Sequence, residues 1–121
     1  MNSRDPKLIV LLFNECINNQ DIEGLVNLMT EDHIFIDSDG VKMGDMANGW
    51  QSFFKKYPTY KNYFTRIESR GDMVNIDGYA IWSSESTKED HVIWTAKIND
   101  NLIAEWRIYH NTEENRIQFL S

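Results

Sequence analysis

A chain of 121 residues is long enough for one hydrophobic core and too short for two, so we expect a single domain over residues 1–121. Its 41% hydrophobic and 12% aromatic residues exclude a disordered chain, because that much apolar surface can form a core without metal or disulfide bonds. Its net charge of -7 would repel phosphate backbones and anionic lipids, so neither nucleic acid nor a membrane is an expected partner.

Two helices are predicted before residue 30. Apolar residues recur at helical spacing from Ile9 to Ile17, and Asp21 is a suitable N-cap for a second, shorter helix. The two helices should form a hairpin. The single cysteine, Cys16, lies among the apolar positions of the first helix and cannot form an internal disulfide. We therefore expect a buried thiol and a reducing compartment, the cytoplasm.

A strand, a turn and a third helix are predicted next. Residues 33–37 form the strand, and Asp39-Gly40 is a two-residue turn signal that folds the chain back on itself. Asp45 can begin the third helix, and Pro58 ends it. This helix carries a wide aromatic face, which consists of Met46, Trp50, Phe53, Phe54 and Tyr57.

Four antiparallel strands are predicted between about Tyr60 and His110, where apolar residues alternate with polar ones. Each strand should therefore have one apolar face. Helices followed by a run of such strands indicate an α+β architecture, with the helices on one side of the sheet and no parallel pairing. The first few residues and the tail after Asn111 lack these patterns and are expected to be loose.

No metal or other cofactor is expected. His33, His91 and His110 lie on separate predicted elements, without the spacing of zinc ligands. The segment from Asp37 to Gly40 is similar to part of a calcium loop, but Phe35 would then stand where the first carboxylate is required. The sequence also lacks a glycine-rich phosphate loop, a GxSxG motif and a CxxC motif.

The order of the predicted elements resembles the SnoaL-like branch of the nuclear transport factor 2-like superfamily. The resemblance covers nearly the whole chain and rests on three loose motifs, which are Gly44-Asp45, Tyr57-Pro58-x-Tyr60 and Ile103-x-x-Trp106-Arg107. It implies a cone-shaped, cystatin-like α+β barrel in which three N-terminal helices pack on a curved antiparallel sheet. It also implies a pocket for a small hydrophobic molecule between sheet and helices, and a homodimer through the outer sheet face.

Members of this superfamily include isomerases, dehydratases, cyclases, epoxide hydrolases and non-catalytic binding proteins, so the fold does not settle the function. A gapless register against ketosteroid isomerase puts Asp37 at the position of the catalytic base. It puts Phe13 at the position of the tyrosine donor, and Trp94 roughly at that of the protonated aspartate. Both acidic donors are therefore absent, and an indole N–H stabilises an enolate less well. A complete steroid-isomerase mechanism is not expected.

Asp37 and His110 are the candidate catalytic residues. Asp37 follows two apolar residues just before the turn, where its carboxylate could face the pocket as a general base. The alternative is that it only caps the turn or pairs with Lys42. His110 ends the last strand on the same face as Trp106 and could assist as an acid or base, or it could simply be half-solvated. His33 starts its strand and is expected to be exposed.

Aromatic residues on the predicted inner faces are candidate ligand contacts. They are Phe13, Trp50, Phe54, Trp82, Trp94 and Trp106. The alternative is ordinary core, and of the five that follow Phe13 we expect about two to line the cavity. Glu105, Arg107 and Tyr109 should face outward. Ile81 and Ile93 are apolar on the outer faces, which favours a partner subunit there.

Two functions from different classes remain open. In the first, the pocket binds a small apolar or aromatic molecule and performs isomerisation, dehydration or cyclisation, with Asp37 as base and His110 assisting. In the second, the chain is a non-catalytic ligand-binding or dimeric interaction module, which the missing acidic donors favour. The sequence does not name the ligand.

Overall fold

The computed structural model describes residues 4–121, so the expected loose start lies partly outside the described residues. The elements are, in chain order, α1 (Pro6–Asn18), α2 (Ile22–Asn27), β1 (Met29–Ile36), β2 (Lys42–Met43), α3 (Met46–Lys56), β3 (Lys61–Arg70), β4 (Met73–Ile81), β5 (Asp90–Asn99), β6 (Leu102–His110) and α4 (Glu113–Leu120). The α+β prediction is confirmed. Within residues 4–121, no helix has the length and apolar character needed to cross a bilayer.

The first three helices begin close to the predicted positions. The side chain of Asp5 accepts the backbone N–H of Lys7 at the start of α1, and that of Asp21 accepts the N–H of Gly24 at the start of α2. Asp45 precedes α3 as predicted, but its carboxylate accepts a hydrogen bond from the side chain of Asn48 instead of a backbone N–H. The aromatic face of α3 and the apolar side of α1 pack onto the sheet and form the core.

The six strands form one sheet in the order β2-β1-β6-β5-β4-β3. All neighbours are antiparallel except β1 and β6, which run parallel. The expectation that no strands pair in parallel is wrong for this pair. The pairing of β1 with β6 is non-local, because all of β2–β5 lies between these two strands in the sequence. The alternation of apolar residues does not show which strand becomes a neighbour.

The tail after Asn111 is a helix, not the loose segment that was expected. Thr112 is its N-cap, and its hydroxyl accepts the N–H of Asn115 at 3.1 Å. The helix, α4, packs on the outer face of the sheet. There the ring of Phe119 lies 4.4 Å from that of Tyr109, measured between ring centroids, and Arg116 forms an ion pair with Asp77.

The outer face is therefore partly covered by the chain itself. Ile93 stands between Asp77 and Tyr109 in the sheet register, and all three lie in the region that α4 covers. Its side chain is fully buried within the single chain, so it is not evidence for a partner subunit. Ile81 is half-buried, and dimerisation through this face stays a prediction.

His33 is buried and not exposed, with 6% of its surface accessible. The register of β1 against β6 shifts between Met29 and Ile34, so the backbone ladder is interrupted where His33 lies. The imidazole Nδ1 lies 2.6 Å from the carbonyl oxygen of Ile103, to which a neutral ring protonated on Nδ1 donates. The side chain of His33 thus joins β1 to β6 where the register shifts.

Stability is expected to fall as the pH drops below 6.5, the ordinary pKa of histidine, because of His33. Desolvation is the largest cause that lowers the pKa of His33, and its buried Nε2 has no hydrogen-bond partner among residues 4–121. Below pH 6.5 the unfolded chain binds a proton that the folded chain does not, so the free energy of unfolding falls by at most about 1.4 kcal/mol for each pH unit. Above that pH this contribution is constant.

Urea titrations between about pH 5 and 8 measure this slope. The variant His33→Gln should lose the component that comes from His33, whereas His91→Gln, at an exposed histidine paired with Glu89, should keep it. Equal slopes in the wild type and in His33→Gln would contradict the assignment.

A bulge in β3 lies opposite a glycine of β4. Phe64 pairs with Gly78 and Arg66 with Asp77, so Thr65 is an extra residue without a partner in the ladder. The hydroxyl of Thr65 donates a hydrogen bond to the carbonyl oxygen of Asp77 at 3.1 Å, which closes the bulge. At Gly78 a Cβ atom would lie only 2.1 Å from the carbonyl oxygen of Tyr63. The close approach of the two strands therefore requires glycine.

Candidate functional site

A cavity of about 460 Å³ lies between α3 and the inner face of the sheet. It is lined by residues of α3, of the loop after β1 and of strands β4, β5 and β6, and most of these side chains are apolar. The aromatic part of the wall comes from Trp50 and Phe53 of α3 and from Trp82, which follows β4. The volume falls in the range of cavities that hold small organic molecules.

Asp37 lies on the wall of this cavity and also holds the turn after β1. Its Oδ1 accepts the backbone N–H groups of Asp39 and Val41 at 2.9 and 3.0 Å. The residue therefore combines the two roles that the sequence left open, turn cap and cavity wall. Within residues 4–121, its Oδ2 has no hydrogen-bond partner, and no ion pair joins it to Lys42. One carboxylate oxygen is thus fixed and the other is available.

A second carboxylate, Asp90 at the start of β5, lies on the cavity wall as well. Its Oδ2 accepts a hydrogen bond from the indole Nε1 of Trp82 at 2.9 Å. The Trp82 ring is 38% exposed and contacts the rings of Phe53, Tyr57 and Tyr60 at centroid distances between 4.9 and 5.7 Å. This packing orients the indole, and the indole in turn orients Asp90.

Tyr60 and Lys56 also lie on the wall, as do the small polar residues Ser38 and Ser52. Burial is the main cause that raises the pKa of Tyr60, and the negative charge of Asp90 adds to it. The phenol therefore stays protonated near neutral pH and can donate a hydrogen bond. The ammonium group of Lys56 lies 5.5 Å from the centroid of the Tyr57 ring, a distance that allows a cation–π contact.

Of the aromatic residues that the sequence singled out, Trp50 and Trp82 line the cavity. The other four do not line it and are corrected to core residues; they are Phe13, Phe54, Trp94 and Trp106. All four lie on the inner faces of their helices or strands, as predicted, but they pack into the core beneath α1. The Phe13 ring, for example, lies 5.0 Å from that of Trp106. The cavity lies instead at the end of the sheet beside α3.

His110 stands outside the cavity and is not one of its lining residues. It ends β6 as predicted, and Ile108, two residues before it on the same face, does line the cavity. The imidazole is mostly exposed, and its Nε2 lies 3.3 Å from Oδ1 of Asp39, at the tip of the turn after β1. The strand has run past the cavity by this point, so His110 is a rim residue without a position for acid–base work inside it.

Four further wall residues were not predicted from the sequence, namely Asp90, Tyr60, Phe53 and Lys56. Asp90 could have been found, because it precedes Val92 by two residues and so continues the inner-face alternation of β5. Phe53 belongs to the predicted aromatic face of α3. Nothing in the sequence indicates how far along each strand the cavity begins. Within residues 4–121, no cluster of three or more potential metal ligands occurs.

No family model and no curated protein sequence matches this chain. Solved structures match it at low sequence identity. An uncharacterised cystatin-fold protein from Novosphingobium aromaticivorans is 13% identical, with 89% of this chain and 100% of that one covered and a TM-score of 0.79. IdmH from Streptomyces antibioticus, a suggested polyketide cyclase, is 17% identical over 97% and 96% of the two chains, with a TM-score of 0.73.

An LEH-like epoxide hydrolase from Mycobacterium tuberculosis is 14% identical over 95% of this chain and 89% of that one, with a TM-score of 0.75. A protein from Cytophaga hutchinsonii described as NTF2-like is 14% identical over 90% and 93%, with a TM-score of 0.73. At these identities the likeness concerns the fold alone. The chain has the cystatin-like fold of the nuclear transport factor 2-like proteins.

Proposed function

On this nuclear transport factor 2-like fold, we propose that the chain is a pocket protein of the SnoaL-like type, which binds a small apolar or aromatic organic molecule. The observation that carries the proposal is the cavity of about 460 Å³ with Trp50, Phe53 and Trp82 on its wall. Flat aromatic walls favour a flat or hydrophobic ligand. Polyketide cyclase and epoxide hydrolase, the activities named for two of the similar structures, act on small organic molecules as well.

Filling the cavity is expected to abolish binding without unfolding the protein. Val92 lines the cavity, so the indole introduced by Val92→Trp would occupy the ligand's space. Naphthaleneethanol, a neutral flat probe, should give a binding isotherm with the wild type in titration calorimetry and none with Val92→Trp. The matched control is Val41→Trp, which adds the same side chain at an exposed position off the cavity wall and should still bind. Unimpaired binding by Val92→Trp would contradict this location of the site.

We further propose that Asp37 acts as a general base toward the bound molecule, in an isomerisation, dehydration or cyclisation. Its free Oδ2 can accept a proton, while two backbone N–H groups keep the other oxygen in place. Tyr60 is the candidate donor to an oxygen on which negative charge develops, since it is a wall residue whose phenol stays protonated. His110 has no part in this proposal, because it lies outside the cavity wall.

Nitrobenzisoxazole tests the base without knowledge of the natural substrate. Removal of its acidic ring C–H proton by a carboxylate breaks the N–O bond and gives a coloured cyanophenolate. The variant Asp37→Asn keeps the Oδ1 acceptor that holds the turn but removes the base, so its rate is expected to fall by about 100-fold. Asp39→Asn, at an exposed residue off the cavity wall, is the charge-matched control and should retain the rate.

A non-catalytic binding protein is the second candidate. It is favoured by the structural work that Asp37 already does in the turn, and by the exposed position of His110. In this case naphthaleneethanol binds, but nitrobenzisoxazole opens no faster in the presence of wild type than of Asp37→Asn. Native mass spectrometry of the purified protein would then identify molecules that co-purify in the cavity.

A further inference from the structure

The cavity wall carries more negatively charged side chains than positively charged ones. Two carboxylates, Asp37 and Asp90, face one ammonium group, that of Lys56. The rest of the wall is largely apolar, so these three side chains supply its formal charges. The excess of negative charge has the same sign as the net charge of the whole chain, which is -7.

We propose that the ligand of this cavity is a cationic amphiphile, a flat apolar body that carries a protonated amine. The proposal rests on the proposed function, since it assigns a chemical class to the molecule that the cavity binds. The apolar body would lie against Trp50 and Phe53, and the ammonium group would pair with a carboxylate of the wall, that of Asp37 or that of Asp90.

Both carboxylates are held in place and each keeps a free oxygen. Asp90 is anchored through Oδ2 by the indole N–H of Trp82 at 2.9 Å, and Asp37 through Oδ1 by two backbone N–H groups. Across the described part of the chain, Oδ1 of Asp90 and Oδ2 of Asp37 have no hydrogen-bond partner. Acceptors that are already oriented lose little entropy when a cation binds.

Neither carboxylate is neutralised by a cation of the protein. Within residues 4–121 the side chains of Asp37 and Asp90 form no ion pair, and the ammonium of Lys56 lies over the Tyr57 ring. An anionic ligand such as a fatty acid would bring a third negative charge beside these two carboxylates, and one exposed ammonium group on the wall, that of Lys56, could offset only part of the repulsion. A protonated amine would instead be attracted to the carboxylates.

Three naphthyl probes of similar size and shape differ in charge, so their affinities show the effect of ligand charge alone. They are naphthylethylamine, which is cationic, naphthaleneethanol, which is neutral, and naphthylacetate, which is anionic. We expect the amine to bind about tenfold more tightly than the alcohol, and the acid more weakly than either. The preference for the amine should shrink as sodium chloride is added, because salt screens the charge pairing. The salt dependence is measured on the wild type alone.

Asp90→Asn and Asp37→Asn should each weaken the binding of the amine more than that of the alcohol, so that the preference for the amine shrinks. Asp39→Asn removes an equal charge from an exposed site off the wall and should not alter the preference. Equal binding of amine and alcohol by the wild type, or tightest binding of the acid, overturns the inference but leaves the proposed function standing. Failure of all three probes to bind overturns both.

Discussion

Replacement of Trp94 by alanine is expected to lower the free energy of unfolding by about 3 to 5 kcal/mol. The residue has no accessible surface, and its ring lies 5.2 Å from that of Phe64 and 6.5 Å from that of Trp106. Removing the indole would leave a void that these rings cannot fill without moving. Urea unfolding, followed by circular dichroism, measures the loss.

The matched substitution is Trp82→Ala, at a tryptophan that lines the cavity and is 38% exposed. It should cost about 1 to 2 kcal/mol in stability and should weaken the binding of naphthaleneethanol. The milder variant Trp94→Phe keeps a ring in the core and should bind the probe as the wild type does. A folded Trp94→Phe that loses probe binding would contradict the assignment of Trp94 to the core.

Gly78→Ala is expected to destabilise the protein by about 1 to 3 kcal/mol or more. The new methyl group would meet the carbonyl oxygen of Tyr63 at 2.1 Å and the backbone of Phe64 at 3.1 Å. Both contacts involve the backbone of β3, which cannot rotate away as a side chain can. The strands would have to separate, and the bulge at Thr65 would be disturbed with them.

Gly44→Ala serves as the control for this prediction. A Cβ atom at Gly44 would meet nothing within 4 Å, so the same chemical change should leave stability within about 0.5 kcal/mol of the wild type. Thermal unfolding of the two variants under identical conditions gives the comparison. Equal melting temperatures would mean that β3 and β4 are not held as closely as the structure indicates.

The architecture was largely predictable because it depends on local periodicity. Alternating residues such as Val74 and Ile76 of β4 are buried as the pattern predicts, and the aromatic side of α3 faces the sheet. Two features of the fold were not predicted. The parallel pair β1–β6 joins distant parts of the chain, and α4 is short, with Ile117 exposed and only Leu120 fully buried, so its apolar pattern is weak.

The site was predictable only in part, for a related reason. Periodicity gives the face on which a side chain lies but not its depth along the strand, so Trp94 and Trp106 were grouped with Trp82 although only Trp82 reaches the cavity. Asp37 was singled out through the turn chemistry that follows β1. The hydrogen bond between Trp82 and Asp90 was not foreseeable, because it joins the residue after β4 to the start of β5 across an irregular connection.

The position of α4 has a consequence for the order in which the domain can be completed. A ribosome releases all six strands before the residues of α4, and domains generally begin to fold as they emerge. Until then Ile93 and Thr95, which are buried in the finished domain, lack the cover of α4 on the outer side of the sheet. As long as α4 is not docked, Ile93 is exposed on that side of the sheet, and exposed apolar surface of this kind favours aggregation.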